Sequence, residues 1–133
     1  MTREGFGSLS KDMQTEGPLD AALLLTPSGT LLAGWTREGL RQDIMSIMSA
    51  TMTASIETLM EELRRHRPER ILVEAGAQRF LVSRTENGRL LVLLAPSTVS
   101  RTRLVASAHA LQVRLAASAA DEGAKRHSVT PSP

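Results

Sequence analysis

Two unbroken apolar runs, Ala21 to Leu25 and Leu90 to Ala95, constrain what this chain can fold into more than any other feature. Every other candidate strand carries polar residues on at least one face. A strand that is apolar on both faces is a central strand covered on both sides. The two runs are far apart in sequence, yet both need that position, so they are expected side by side in the middle of one sheet. That pairing sets the first hairpin beside the last strand.

The chain has 133 residues, enough for one domain with tails but not for a second core. The expected boundaries are an N-terminal segment, 1–17, forming a short helix or disordered; a domain over 18–118; and a disordered tail over 119–133. There is no Cys, which excludes a disulfide framework, a thiolate nucleophile and a sulfur-ligated metal site, and fits a reducing, cytoplasmic setting. No segment has the continuous apolar core of a signal peptide, and no run approaches the roughly 20 apolar residues of a membrane-spanning helix. A soluble protein without membrane insertion is expected.

Net charge is only +2, from 16 basic and 14 acidic residues. Nucleic-acid binders usually combine a basic stripe with stacking aromatics. Here the aromatics are Phe6, Trp35 and Phe80 alone, so no nucleic-acid partner is expected. The densest basic cluster, Arg64, Arg65, His66 and Arg67 with Arg70, lies where a helix must stop. There it reads as cations complementing a helix dipole and capping free carbonyls.

Asp20 to Thr26 reads as a strand, followed by a Pro27-Ser28-Gly29-Thr30 turn and a second strand, Leu31 to Trp35. From about Arg37 to Arg67 the period changes to 3.6, giving a long helix with Thr36 as N-cap and Pro68 beyond its end. Ile44, Met45, Met48, Met52, Ile56, Leu59, Met60 and Leu63 fill an arc of roughly 160°, wider than the ~100° stripe of an ordinary surface helix. One sheet face cannot easily bury all of it. The opposite arc, Ser46, Ala50, Thr53 and Ala54 with Asp43, Glu57 and Glu61, is expected to face solvent or a closely approaching partner. Arg70 to Ala75, Gln78 to Thr85 and Leu90 to Ala95 complete a meander. Its second turn, Glu86-Asn87-Gly88, reads as a hairpin turn, since Asn-Gly tolerates positive φ at adjacent positions. A last helix runs from about Val99 to Ala119, with Leu104, Ala108, Leu111 and Leu115 on one stripe.

These elements predict an α/β (α+β) fold: a five-stranded antiparallel sheet of order 2-1-5-4-3 with helices on both faces. The third strand is left on an open edge.

Little in the sequence points to chemistry. His66, His109 and His127 share no ligand spacing, so neither a metal site nor a cofactor is expected. His109 as a lone general base lacks an evident orienting carboxylate. Ser8-Leu9-Ser10-Lys11 matches Ser-x-x-Lys in letters only, and no phosphate-binding loop is present. Glu61 with Arg65 and Glu62 with His66 read as i, i+4 pairs on a solvated face. Binding, not catalysis, is the expected activity.

The order of elements, with the strings Ala22-Leu23-Leu24-Leu25-Thr26-Pro27-Ser28-Gly29, Arg70-Ile71-Leu72-Val73-Glu74 and Leu90-Leu91-Val92-Leu93-Leu94-Ala95, resembles the Roadblock family, related to dynein light chains. The resemblance covers about Asp20 to Ala117 and implies a profilin-like sandwich. It implies a dimer, with itself or with a paralogous Roadblock chain, in which third strands pair and long helices lie side by side. Met48, Met52, Ile56, Leu59, Arg70, Ile71, Leu72, Val73 and Glu74 would form that interface. It also implies a non-catalytic regulator or scaffold that binds a Ras-like small GTPase, with Arg41, Met45, Ser49 and Thr53 as docking candidates. Members commonly begin with a full helix before the first strand, whereas the segment here is short and broken. The alternative is a small-ligand sensor of PAS or profilin-like type, which needs a cavity between sheet and helix.

Overall fold

The computed structural model describes Gly5 and residues 19–129, with side-chain environments through residue 117. The described chain runs β1 (Ala21–Leu25), β2 (Leu31–Thr36), α1 (Gln42–Glu62), β3 (Arg70–Ala75), β4 (Gln78–Arg84), β5 (Leu90–Pro96) and α2 (Arg101–Val129). The strands form one sheet in the order β2-β1-β5-β4-β3, and every pairing is antiparallel. The two apolar runs are neighbours in its middle, with Leu23 opposite Val92. Both strands need cover on two faces, and the helices supply it. Leu23, Leu25, Val82, Leu90 and Val92 pack beneath Ala50 of α1, while Leu24, Leu81, Leu91 and Leu93 pack against Leu104, Ala108 and Leu111 of α2.

The turns follow local chemistry. Gly29 closes the first hairpin at φ +99° and Gly76 the β3–β4 turn at φ +57°. In the β4–β5 turn only Gly88 has positive φ, so Asn87 does not share the left-handed conformation expected of an Asn-Gly pair. Hydrogen bonds from the Gly88 N–H to Thr85 O (3.0 Å) and from the Thr85 N–H to Arg89 O (2.8 Å) close this longer loop. One glycine suffices for it.

Helix α1 is shorter than the expected span of 37–67 at both ends. Gly39 turns the chain at φ +85°, and Arg41, extended at φ −101° and ψ 107°, occupies the N-cap position in place of Thr36. At the other end the Arg64 N–H donates to Glu61 O (3.0 Å) and the Arg65 N–H to Met60 O (2.8 Å), with Arg64 at φ +54°. This is a Schellman stop built from backbone. It overturns the capping role expected of Arg64, Arg65, His66 and Arg67, because the last helical turn holds no basic residue. It also removes the i, i+4 pairs of Glu61 with Arg65 and Glu62 with His66. Glu61 instead reaches Arg67 at 3.9 Å.

Helix α2 continues ten residues past the expected end at Ala119, so the backbone of 120–129 is helical where disorder was expected. Ala119, Ala120 and Ala124 have high intrinsic helix propensity. Apart from Gly5, which is helical, the expectation for 1–17 lies outside the described residues, as do residues 130–133.

Candidate functional site

Helix α1 is seated the opposite way round from the sequence expectation. Ser46, Ser49, Ala50 and Thr53, spaced i, i+3, i+4, i+7, face the sheet and are buried. The apolar residues Ile44, Ile47, Met48, Leu59 and Leu63 stand outward at 46% to 59% exposure. The first hairpin lies against the buried face. A Cβ at Gly29 would meet the Ala50 Cβ at 3.4 Å and the Ile47 Cα at 3.5 Å, and one at Gly34 would come within 2.8 Å of Leu23 Cδ2 and 3.0 Å of Gln42 Oε1. At Gly29 the hairpin thus comes within ordinary contact distance of the helix backbone and of Ala50, a position where a small residue sits.

Two of the buried hydroxyls are satisfied within the helix. Ser46 Oγ donates to Gln42 O at 2.7 Å and Thr53 Oγ1 to Ser49 O at 2.8 Å. Each thus bonds one turn back along its own helix. Further out, Thr51, Ser55 and Thr58 do the same with Ile47 O, Thr51 O and Ala54 O. Their outer surface therefore makes little demand on water.

Met45 and Met52 are half-buried and pack on the cluster beneath α1, alongside Ile71 and Phe80. Ile56 and Met60 are half-buried as well. The wide apolar arc thus divides into a lower edge against the sheet and an upper edge in solvent. The sheet beside it is incompletely covered: Ile71 and Val73 of β3, Phe80 of β4 and Leu94 of β5 are all half-buried.

Among the described residues strand β3 pairs with β4 alone, which leaves its other edge open. Leu72 on this edge is 37% exposed, and Arg70 and Glu74 are exposed on either side of it. Glu74 is tied back to its own subunit: its carboxylate receives Arg79 Nε at 3.2 Å and Arg101 Nη2 at 2.9 Å, with a further contact from Arg101 Nε. The Arg101 hydrogen bond, seconded by Arg79, holds the Glu74 carboxyl below the usual glutamate range. Arg79 also donates to Ser97 O at 2.8 Å and to Val99 O, joining the sheet edge to the start of α2.

The nine expected interface residues are therefore found on the upper and flanking surface of α1 (Met48, Met52, Ile56, Leu59) and along β3 (Arg70, Ile71, Leu72, Val73, Glu74). The expected docking set does not survive intact. Arg41 is exposed in an ion pair with Asp43 at 3.0 Å, and Met45 is half-buried, but Ser49 and Thr53 are buried at 2% and 5% exposure and cannot meet a partner. Ile47 belongs to the outer stripe and was missed. The small-residue spacing of Ser46, Ser49, Ala50 and Thr53, read together with glycines in the facing hairpin, is the signal that would have found it.

On the other face, a cavity of about 310 Å³ lies between α2, the β1–β2 hairpin and the β4–β5 turn. Leu24, Leu32, Arg89, His109, Gln112 and Val113 are among its lining residues. Among the described residues no group of three His, Cys, Asp or Glu is placed to hold a metal ion. Among them, too, no helix is long and apolar enough to cross a membrane.

No protein-family model matches the sequence, and no curated protein matches it at a significant level. Solved structures do match the fold. Myxococcus xanthus MglB superposes with a TM-score of 0.74 at 10% identity, covering 84% of this chain and 91% of that one. The gliding protein MglB from Thermus thermophilus gives 0.71 at 17% identity, over 84% of this chain and 85% of that one. A Roadblock/LC7 domain from Streptomyces avermitilis gives 0.73 at 16% identity, over 82% and 92%. With its 2-1-5-4-3 antiparallel sheet between two helices, this chain has the fold shared by MglB and Roadblock/LC7 proteins.

Proposed function

We propose that this chain is a non-catalytic, cytoplasmic regulator or scaffold that works as a dimer and docks a Ras-like small GTPase. The partner in the dimer is a second copy or a paralogous Roadblock chain. The outward apolar stripe of α1 carries this reading: Ile44, Ile47, Met48, Leu59 and Leu63 lie on one helix whose inward face is already filled by small residues. Several large apolar side chains exposed along one helix face are the kind of surface that marks an interaction site. The open edge of β3 and the half-covered Ile71, Val73 and Phe80 beside α1 supply a surface that a second sheet and helix would complete. Resemblance to Roadblock proteins supports the GTPase as ligand, with Arg41 and Met45 retained as docking residues and the exposed Ile44 joining them.

The immobilised chain, offered a Ras-like GTPase of the same organism loaded with a GTP analogue, retains it above empty beads. Ile44→Glu abolishes that retention while leaving the dimer mass unchanged. Equal recovery on empty beads contradicts the docking claim.

The cavity beside α2 favours a second reading, that of a small-ligand sensor, because its volume falls within the ~300–1,000 Å³ of ligand pockets. Native mass spectrometry of freshly purified protein decides this. A retained small molecule, displaced by Val113→Trp, would support the sensor, and bare protein would not.

A further inference from the structure

The hydrogen bonds and charges of β3 specify how a second copy can pair with it. The Arg84 N–H donates to Glu69 O at 3.0 Å, so Glu69 and Arg84 form a hydrogen-bonded pair. In an antiparallel ladder such pairs alternate with non-bonded ones. The register of Ile71 with Val82, Val73 with Phe80 and Ala75 with Gln78 therefore turns the backbone groups of odd-numbered residues toward β4. Those of Arg70, Leu72 and Glu74 point to the open edge. The three side chains share one face of the sheet, that of Leu81 and α2, because Leu72 lies opposite Leu81 and Glu74 meets Arg101 of α2.

A two-fold axis relating two β3 strands must bring outward-pointing residues opposite one another, which leaves only axes centred on a residue. Centring on Leu72 overlaps nearly the whole strand. It also sets Arg70 opposite Glu74 of the other copy and Glu74 opposite its Arg70, flanking Leu72 against Leu72. Shifting the centre to Ile71 puts Arg70 opposite Leu72, and shifting it to Val73 puts Glu74 there. Among the described residues Arg70 has no ion-pair partner in its own subunit. The Glu74 carboxylate, with about four acceptor sites, takes Arg79 and Arg101 and retains room for one more donor.

We propose that two copies paired through β3 meet antiparallel about Leu72, with reciprocal Arg70 to Glu74 contacts that fix the register and select a like partner. This rests on the dimeric reading above and adds to it a register and a charge code. Opposite charges facing across strands are favourable and like charges are not, so the Arg-Leu-Glu row matches itself only at this register.

Because the chain has no Cys, single cysteines test the register directly. With the axis on Leu72, two Leu72→Cys strands place their Cα atoms about 5.5 Å apart, within bridging range of about 4.4–6.8 Å. Ile71→Cys and Val73→Cys mates lie on a diagonal at about 7–8 Å and cross-link poorly. A second arm reads charge. Arg70→Glu and Glu74→Arg each weaken self-association about tenfold or more by opposing like charges twice, yet an equimolar mixture restores a heterodimer with both pairs satisfied. Thermal melting of each variant alone separates lost pairing from lost folding.

Efficient oxidation at position 72 together with rescue by mixing supports the proposal. Dimers that cross-link at 71 or 73 and not at 72, or that ignore both charge reversals, overturn it while leaving dimerisation intact. A wild-type chain that sediments as a monomer and forms no cross-link overturns both.

Discussion

Gly29, at the tip of the first hairpin, lies so close to Ala50 of α1 that a Cβ on the glycine would meet the alanine Cβ at 3.4 Å. This contact lies on the hidden face of α1. A helix of Met, Ile and Leu packs its small residues inward against a hairpin tip that carries a glycine, and its large apolar residues are turned outward.

Filling that contact is expected to lift the helix. Ala50→Leu adds three carbons at this contact and should cost about 1–3 kcal/mol in chemical denaturation. Gly34→Ala should cost less, because the atoms its Cβ would meet, Leu23 Cδ2 and Gln42 Oε1, are the ends of side chains that can move aside. An Ala50→Leu urea midpoint equal to that of the parent chain would show that the helix can shift without penalty.

Truncating the outward face should have the reverse profile. Ile47→Ser and Leu59→Ser remove half-exposed apolar surface, so each should change monomer stability by no more than about 0.5 kcal/mol while lowering self-association. Sedimentation and thermal melting read the two effects separately. A large loss of melting temperature at protein concentrations too low for association would mean that these side chains serve their own subunit's core.

Arg64 is a non-glycine residue in the left-handed region, at φ +54°, where the Schellman stop requires positive φ. Relief of that strain should make Arg64→Gly more stable by about 0.5–1 kcal/mol, glycine entering this region without steric cost. An unchanged or lowered melting temperature would show that the Arg64 side chain makes compensating contacts.

The Glu74 carboxyl is held below the ordinary glutamate range, first by the hydrogen bond from Arg101 and then by Arg79. The folded state therefore binds this proton less readily than the unfolded chain. The stabilising contribution is complete at neutral pH, above the unfolded value, and is lost as pH falls through the folded one. Replacing Arg101 with Met should move the Glu74 titration midpoint upward, as followed by carboxyl NMR. An unmoved midpoint would assign the shift to another cause.

Much of this architecture is legible in the sequence for identifiable reasons. Ala21 to Leu25 and Leu90 to Ala95 need cover on two faces, and that requirement alone brings the first and last strands together and leaves β3 on the edge. Gly29 and Gly88 mark their turns because a backbone reversal needs φ values that few other residues tolerate. The face of α1 was not legible by hydrophobicity. Apolar side chains are usually inside, but Ser46 and Thr53 satisfy their hydroxyls within the helix, and the helix passes close to the hairpin tip at Gly29. The same seating cost the docking set Ser49 and Thr53. The end of α1 escaped because its stop is made by backbone hydrogen bonds at Arg64 and Arg65, with no glycine to announce it. The length of α2 escaped because a segment of mixed charge and small residues reads as tail unless alanine content is weighed.

The central claim is that this chain is unfinished alone, and its mass in solution tests that most directly. Light scattering on the wild-type chain at about 10 μM, where a standard interface of ~1,600 Å² holds, should give twice the 14.4 kDa of one chain, falling to the single-chain mass in Met48→Glu combined with Leu72→Arg. A wild-type mass of 14.4 kDa at that concentration would contradict it.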